Sequence, residues 1–131
     1  MDNLRELSDV SSDTGLRLGT YKAKFRKILA GVDYSETGVA VLKAAKSLAE
    51  QFGGTLLLAH AVAPVLYGPG ATPELLQADL NAAAAQMDVL ISKAELGSIS
   101  HRSLIEFAEP TDLIDRIARA QTVDLVIVGT H

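Results

Sequence analysis

The sequence predicts an α/β fold, a doubly wound open parallel sheet. Two observations carry that prediction. Four short apolar runs are separated by stretches whose apolar residues recur at helical spacing, and strands joined through helices pair in parallel. The composition agrees: aromatics make up only 5% and Trp is absent, so a layered core must be filled with Ala, Leu, Val and Ile.

Residues 1–24 show no sustained period, and Ser, Asp, Gly and Thr dominate the middle of the segment. They are expected to form a solvated, flexible N-terminal extension, with a partner-binding arm as the sharper alternative. The globular domain is expected over residues 25–131. Ile28 to Val32 is a short apolar run suited to a strand buried on both faces. It stops at Asp33-Tyr34-Ser35, where the Ser35 hydroxyl can cap a helix and Glu36 favours the positive end of its dipole. Val41, Leu42, Ala45, Leu48, Ala49 and Phe52 then mark one helical face, and Gly53-Gly54 supplies a left-handed stop.

Thr55 to Val62 forms the second strand, followed by a loop rich in Pro and Gly, PVLYGPGAT. Thr72 followed by Pro73 is a helix start, a cap and then a first-turn proline. Leu76, Leu80, Ala83, Met87, Leu90 and Ala94 give this long helix its apolar stripe, and Gly97 is expected to close it. A third strand covers Arg102 to Phe107. Glu109-Pro110-Thr111 opens a third helix with Leu113, Ile114, Ile117 and Ala118 inward, and Val123 to Val128 is the fourth strand.

Several function classes are disfavoured. A net charge of −4 speaks against broad phosphate neutralisation, so no nucleic-acid partner is expected. Without cysteine there is no disulfide, thiolate metal site or Cys nucleophile. Residues 1–24 contain no apolar export segment, and Thr55 to Leu66 is too short to span a bilayer, so a cytoplasmic, membrane-free protein is expected. His60, His101 and His131 lack metal-ligand partners at a recognisable spacing, and no metal site is expected. Glu106, Glu109 and Asp112 read as exposed residues, with general acid–base work remote, and no catalytic residue is assigned.

Ligands of open parallel sheets sit outside the carboxyl ends of the strands, where strand order reverses. That rule selects Gly31-Val32-Asp33, His60-Ala61-Val62, Phe107-Ala108-Glu109 and Gly129-Thr130-His131. Asp33 could accept hydrogen bonds from a ligand or could simply cap the following helix. Gly129 could admit a ligand close to the backbone or could simply end a strand. His60, in an apolar strand, reads as a hydrogen-bonded core residue rather than a ligand.

Four segments in register, KILAGVDYSETGVAVLKAA (Lys27 to Ala45), LLLAHAV, AEPTDLI and the closing DLVIVGTH, resemble the universal stress protein family, within the adenine-nucleotide α-hydrolase-like superfamily. The resemblance covers roughly residues 25 to 131. It implies a strand order 3-2-1-4-5, with Asp33 and Gly129 flanking one crevice. It also implies a stress-response sensor or regulatory module that binds ATP, AMP or ADP, with Mg²⁺ an optional companion and ATP hydrolysis slow at most. By the same resemblance, Gly31, Val32 and Asp33 meet the adenosine, Ala61 offers its backbone to the base, and Val128, Gly129, Thr130 and His131 begin a glycine-rich phosphate loop. Such a loop cradles an anion on backbone amides, so an acidic net charge is no obstacle.

Family members continue into a fourth helix and a fifth strand used in dimerisation, and the loop's later glycines would follow His131. The chain is therefore expected to be C-terminally incomplete, and the protein a homodimer with a protein partner yet to be identified. Ala108 stands where many members have glycine. The alternative within the family is a stress protein that binds no nucleotide and works through dimerisation and partner contacts. An ATP-pyrophosphatase is disfavoured, because Leu29 to Ser35 matches only part of the required Ser-Gly-Gly-x-Asp-Ser loop.

Overall fold

The computed structural model describes residues 25–63, 70 and 72–129. The N-terminal extension, Thr130, His131 and most of the loop after the second strand lie outside the described residues. The elements run β1 (Lys27–Gly31), α1 (Glu36–Phe52), β2 (Thr55–Val62), α2 (Pro73–Ala94), β3 (His101–Phe107), α3 (Pro110–Ala120) and β4 (Leu125–Val128). The described strands form one sheet in the order β3-β2-β1-β4, with every pairing parallel. This is the doubly wound α/β arrangement expected.

The helices begin and end for local reasons. The Ser35 side chain accepts from the Thr37 amide to open α1, and Gly53 closes it at φ 70°. Thr72 accepts from the Leu75 amide to open α2, with Pro73 in its first turn. The stop of α2 differs from expectation. Glu95, at φ 53°, takes the left-handed cap position, and Gly97, also left-handed at 65°, follows two residues later. A non-glycine residue there costs about 1 kcal/mol of backbone strain.

The order of the strands dictates where the helices lie. Two crossovers step from β1 outward to β3, and their helices α1 and α2 pack together on one face. The third steps back past β1 to β4, so the same hand of crossover places α3 on the opposite face. The core divides accordingly. Ile28, Ala30, Val32, Leu56 and Leu58 face Val41, Leu42, Ala45 and Ala49 of α1 and Met87, Leu90 and Ala94 of α2. Leu29, Leu57 and Ala59 face Leu113 and Ile117 of α3. Alternate residues of β1 thus enter opposite cores, which is why Ile28, Leu29 and Ala30 are all fully buried. Each large aliphatic side chain so buried contributes roughly 1.5–3 kcal/mol.

Three strands differ from expectation by a residue or two at an end, β3 only in starting at His101 rather than Arg102. β1 ends at Gly31, so Val32 lies just beyond it, and its amide reaches across to the Ala59 carbonyl at 2.8 Å. β4 begins at Leu125 rather than Val123, after a turn in which Thr122 adopts φ 52°. The carboxylate of Asp124 then accepts from the amides of Arg26 and Lys27 at 2.8 and 2.9 Å, tying the start of β4 to the start of β1.

Candidate functional site

A cleft of about 650 Å³ opens at the carboxyl ends of β1, β2 and β4, where the strand order reverses. Gly31, Val32 and Asp33 reach it from β1, Ala59, His60 and Ala61 from β2, and Val126, Val128 and Gly129 from β4. The first turns of α1 add Thr37, Gly38 and Val41, and the start of α3 adds Pro110, Thr111 and Ile114. The structure therefore brings Gly31, Val32, Asp33, Ala61, Val128 and Gly129 around one opening. Thr130 and His131 follow directly in the chain but lie outside the described residues.

Asp33 occupies the turn between β1 and α1. Its Oδ1 accepts from the Ser35 amide at 3.0 Å and from the Ser35 hydroxyl, and Ser35 Oγ in turn accepts from the Thr37 amide. One carboxylate oxygen thus holds Ser35, the residue that caps α1, and so steadies the turn that starts the helix. Gly38 lets this turn fold back tightly: a Cβ there would overlap the carbonyl oxygen of Asp33.

Gly129 is closely packed. A Cβ at this position would overlap the Cγ2 methyl of Thr37 and stand 3.0 Å from Cγ2 of Val41. The chain leaving β4 therefore passes directly against the first turns of α1, bringing Gly129 to the same side of the cleft as the Asp33 turn. Gly31 is less constrained, because its added Cβ would meet only the side-chain ends of Ile114 and Val128, each at 3.0 Å.

His60 and Tyr34 form the most developed side-chain arrangement beside the cleft. The two rings stack with centroids 3.8 Å apart and planes at 20°. His60 Nδ1 lies 2.7 Å from the Val32 carbonyl oxygen. The Tyr34 hydroxyl donates to the Ala83 carbonyl of α2 at 2.6 Å. Burial, and secondarily the charge of Asp88, push the Tyr34 hydroxyl up to about 12. His60 is half-buried and hydrogen-bonded. It also lines the cleft, at the strand end that the carboxyl-end rule selects. The usable signal was parity along β2: His60 shares the face of Leu56 and Leu58, the face on which α1 begins.

The remaining carboxylates stand apart. Glu106 pairs with Arg116 at 2.7 Å, and that pairing holds the guanidinium above its ordinary range. Glu106, Glu109 and Asp112 are not among the residues lining the cleft. Among the described residues, no group of three or more His, Asp or Glu is arranged to hold a metal ion. No helix among them is long and apolar enough to cross a membrane.

Residues 24–131 match the sequence profile of the universal stress protein family. The chain belongs to that family. Solved structures agree on the fold. Universal stress protein UspA from Lactobacillus plantarum superimposes with a TM-score of 0.67 at 24% identity, over 84% of this chain and 82% of that one. A universal stress protein family protein from Arabidopsis thaliana with AMP bound gives 0.55 at 17%, over 80% and 76%. A universal stress protein in complex with cAMP gives 0.53 at 17%, over 79% and 72%. At these identities the likeness speaks for the fold alone. No curated protein matches the chain.

Proposed function

We propose that this universal stress protein domain binds an adenine nucleotide in the cleft and acts as a sensor or regulatory module in a stress response. The observation that carries the reading is the convergence of Asp33, Ala61 and Gly129 on one opening at the switch point of the sheet. Asp33 would accept hydrogen bonds from the adenosine moiety, and the backbone at Ala61 would read the base. Gly129 would begin the anion-binding segment, with Thr130 and His131 next in the sequence. Two structural relatives carry AMP and cAMP, which supports adenine as the base. ATP or ADP would use the same adenosine contacts, with Mg²⁺ on the phosphates.

The lining is mostly aliphatic, with Val126, Val128 and Ile114 on one side. Such a wall suits the faces of a purine and leaves the few polar groups to fix orientation. In the same reading the protein is a cytoplasmic homodimer.

A second reading, a stress protein without nucleotide, is favoured by one observation. The packing of Gly129 against Thr37 and Val41 accounts for that glycine with no ligand. Mass spectrometry of small molecules released on denaturing protein purified without added nucleotide separates the two. An adenine nucleotide at near-stoichiometric yield supports the first. Its absence, together with no thermal shift on adding AMP or ATP, leaves the second.

A further inference from the structure

One imidazole grips both chain neighbours of Asp33. On one side, His60 Nδ1 meets the Val32 carbonyl oxygen at 2.7 Å. A carbonyl oxygen only accepts, so Nδ1 carries the proton and donates. On the other side, the His60 ring lies flat against Tyr34, with centroids 3.8 Å apart. Tyr34 is anchored in turn through its hydroxyl to the Ala83 carbonyl of α2. Residues 32 and 34 are therefore each held by an element other than their own, with Asp33 between them. The bond from the Val32 amide to the Ala59 carbonyl fixes the same short turn from β2.

Resting on the nucleotide reading above, we propose that His60 is a positioning residue for Asp33. Through the Val32 carbonyl and the Tyr34 ring it holds the turn after β1 so that the carboxylate is already oriented when the nucleotide arrives. A carboxylate on a short turn loses affinity if the ligand must first order it, and prior anchoring removes that cost. Of the two contacts, the hydrogen bond carries the directional part, because it acts on the peptide group that joins Val32 to Asp33. The stack supplies the packing that keeps the imidazole in place.

Two substitutions separate these contacts. His60→Phe keeps a ring against Tyr34 and removes the donor. His60→Asn removes the ring and keeps an amide N–H close to the place of Nδ1. Calorimetric titration of AMP should show His60→Phe binding about tenfold more weakly, the size of one lost hydrogen bond. His60→Asn should recover to within about threefold of the parent even where its melting temperature is no better than that of His60→Phe, since affinity follows the donor and stability the packing. Introduced into Asp33→Ala, His60→Phe should change the affinity by less than about twofold, because its effect passes through the carboxylate it no longer finds.

An equal loss in the parent and in Asp33→Ala, or a His60→Asn protein no tighter than His60→Phe, would overturn the proposal. A ligand-free measurement keeps the two readings distinguishable. Scalar couplings that report the χ1 angle of Asp33 should show one rotamer in the parent and in His60→Asn, and averaging in His60→Phe. If the parent takes up no AMP, the nucleotide reading falls by that result alone, and the couplings decide whether His60 orders Asp33. Unchanged couplings in His60→Phe overturn the positioning role whether or not AMP binds.

Discussion

Gly129 passes so close to Thr37 that any Cβ at position 129 would overlap the Thr37 Cγ2 methyl. The contact joins the end of β4 to the first turn of α1 at one side of the cleft. A side chain at position 129 would therefore force Thr37 to shift, with or without a ligand. Gly129→Ala is expected to cost about 1–3 kcal/mol in denaturant unfolding, the usual range for an overpacked contact. Thr37→Ser removes the offending methyl, so the double variant should recover part of that loss. Strictly additive costs would place the strain elsewhere.

Gly38 and Gly53 test two different demands on glycine in one helix. Gly38 is buried in α1, and a Cβ there would overlap the backbone carbonyl of Asp33, which cannot rotate away. Gly53 has open space around it but sits at φ 70°. Gly53→Ala should cost about 1 kcal/mol through backbone strain alone. Gly38→Ala should cost more, about 2–3 kcal/mol, despite the higher helix propensity of alanine. Urea unfolding of the two variants gives the comparison, and the reverse order would contradict the packing assigned to the Asp33 turn.

Tyr34 should make stability fall at high pH. Its hydroxyl, raised to about 12 by burial first and by Asp88 second, holds its proton more tightly in the folded chain than in the unfolded one. The ordinary value is about 10, so the contribution is complete below about pH 10 and is lost as pH rises towards 12. Unfolding curves at pH 9 and 11 should show a decline in the parent that is smaller in Tyr34→Phe. At neutral pH the same variant should lose about 1 kcal/mol with the hydrogen bond to Ala83.

Asp124 offers a check on the other end of the sheet. Its Oδ2 accepts from two successive amides, those of Arg26 and Lys27. Asp124→Ala leaves both without this acceptor and should destabilise the domain by about 1–2 kcal/mol, moderated by the exposure of the site. Nucleotide affinity should not change, because the carboxylate lies at the opposite end of the strands from the cleft. Calorimetry beside thermal unfolding would show whether the two effects separate.

What the sequence disclosed was mainly what neighbouring residues decide. Ser35 opening α1, Gly53 ending it and Thr72-Pro73 opening α2 are arrangements of residues within one turn of each other, and each is present as expected. Strand order was legible through the family resemblance rather than through periodicity. The hidden features depend on distant contacts. Nothing near Gly129 announces that Thr37 will press against it, and the grip of His60 on Val32 and Tyr34 spans more than two dozen residues of chain. Glu95 takes the left-handed cap two residues ahead of the more permissive Gly97, which residue preference alone would not select. The apolar stripe of α2 was also read too far. Leu76 is exposed, and burial begins at Ala83, where Tyr34 reaches the helix.

The convergence of strand ends on one cleft is legible from topology once the order is known. Which ligand fills it is a matter of chemistry that Asp33 should report. Asp33→Asn preserves an Oδ1 acceptor for the Ser35 amide and removes the charge, so α1 should still start at Glu36. The decisive measurement is calorimetric titration of AMP and ATP into the parent and Asp33→Asn proteins. If Asp33 holds the adenosine, one adenine nucleotide binds saturably per chain, and its binding weakens by about 1–3 kcal/mol when the charged acceptor is removed. Titrations without heat in the parent, with no thermal shift, or an affinity unchanged by Asp33→Asn, would contradict it.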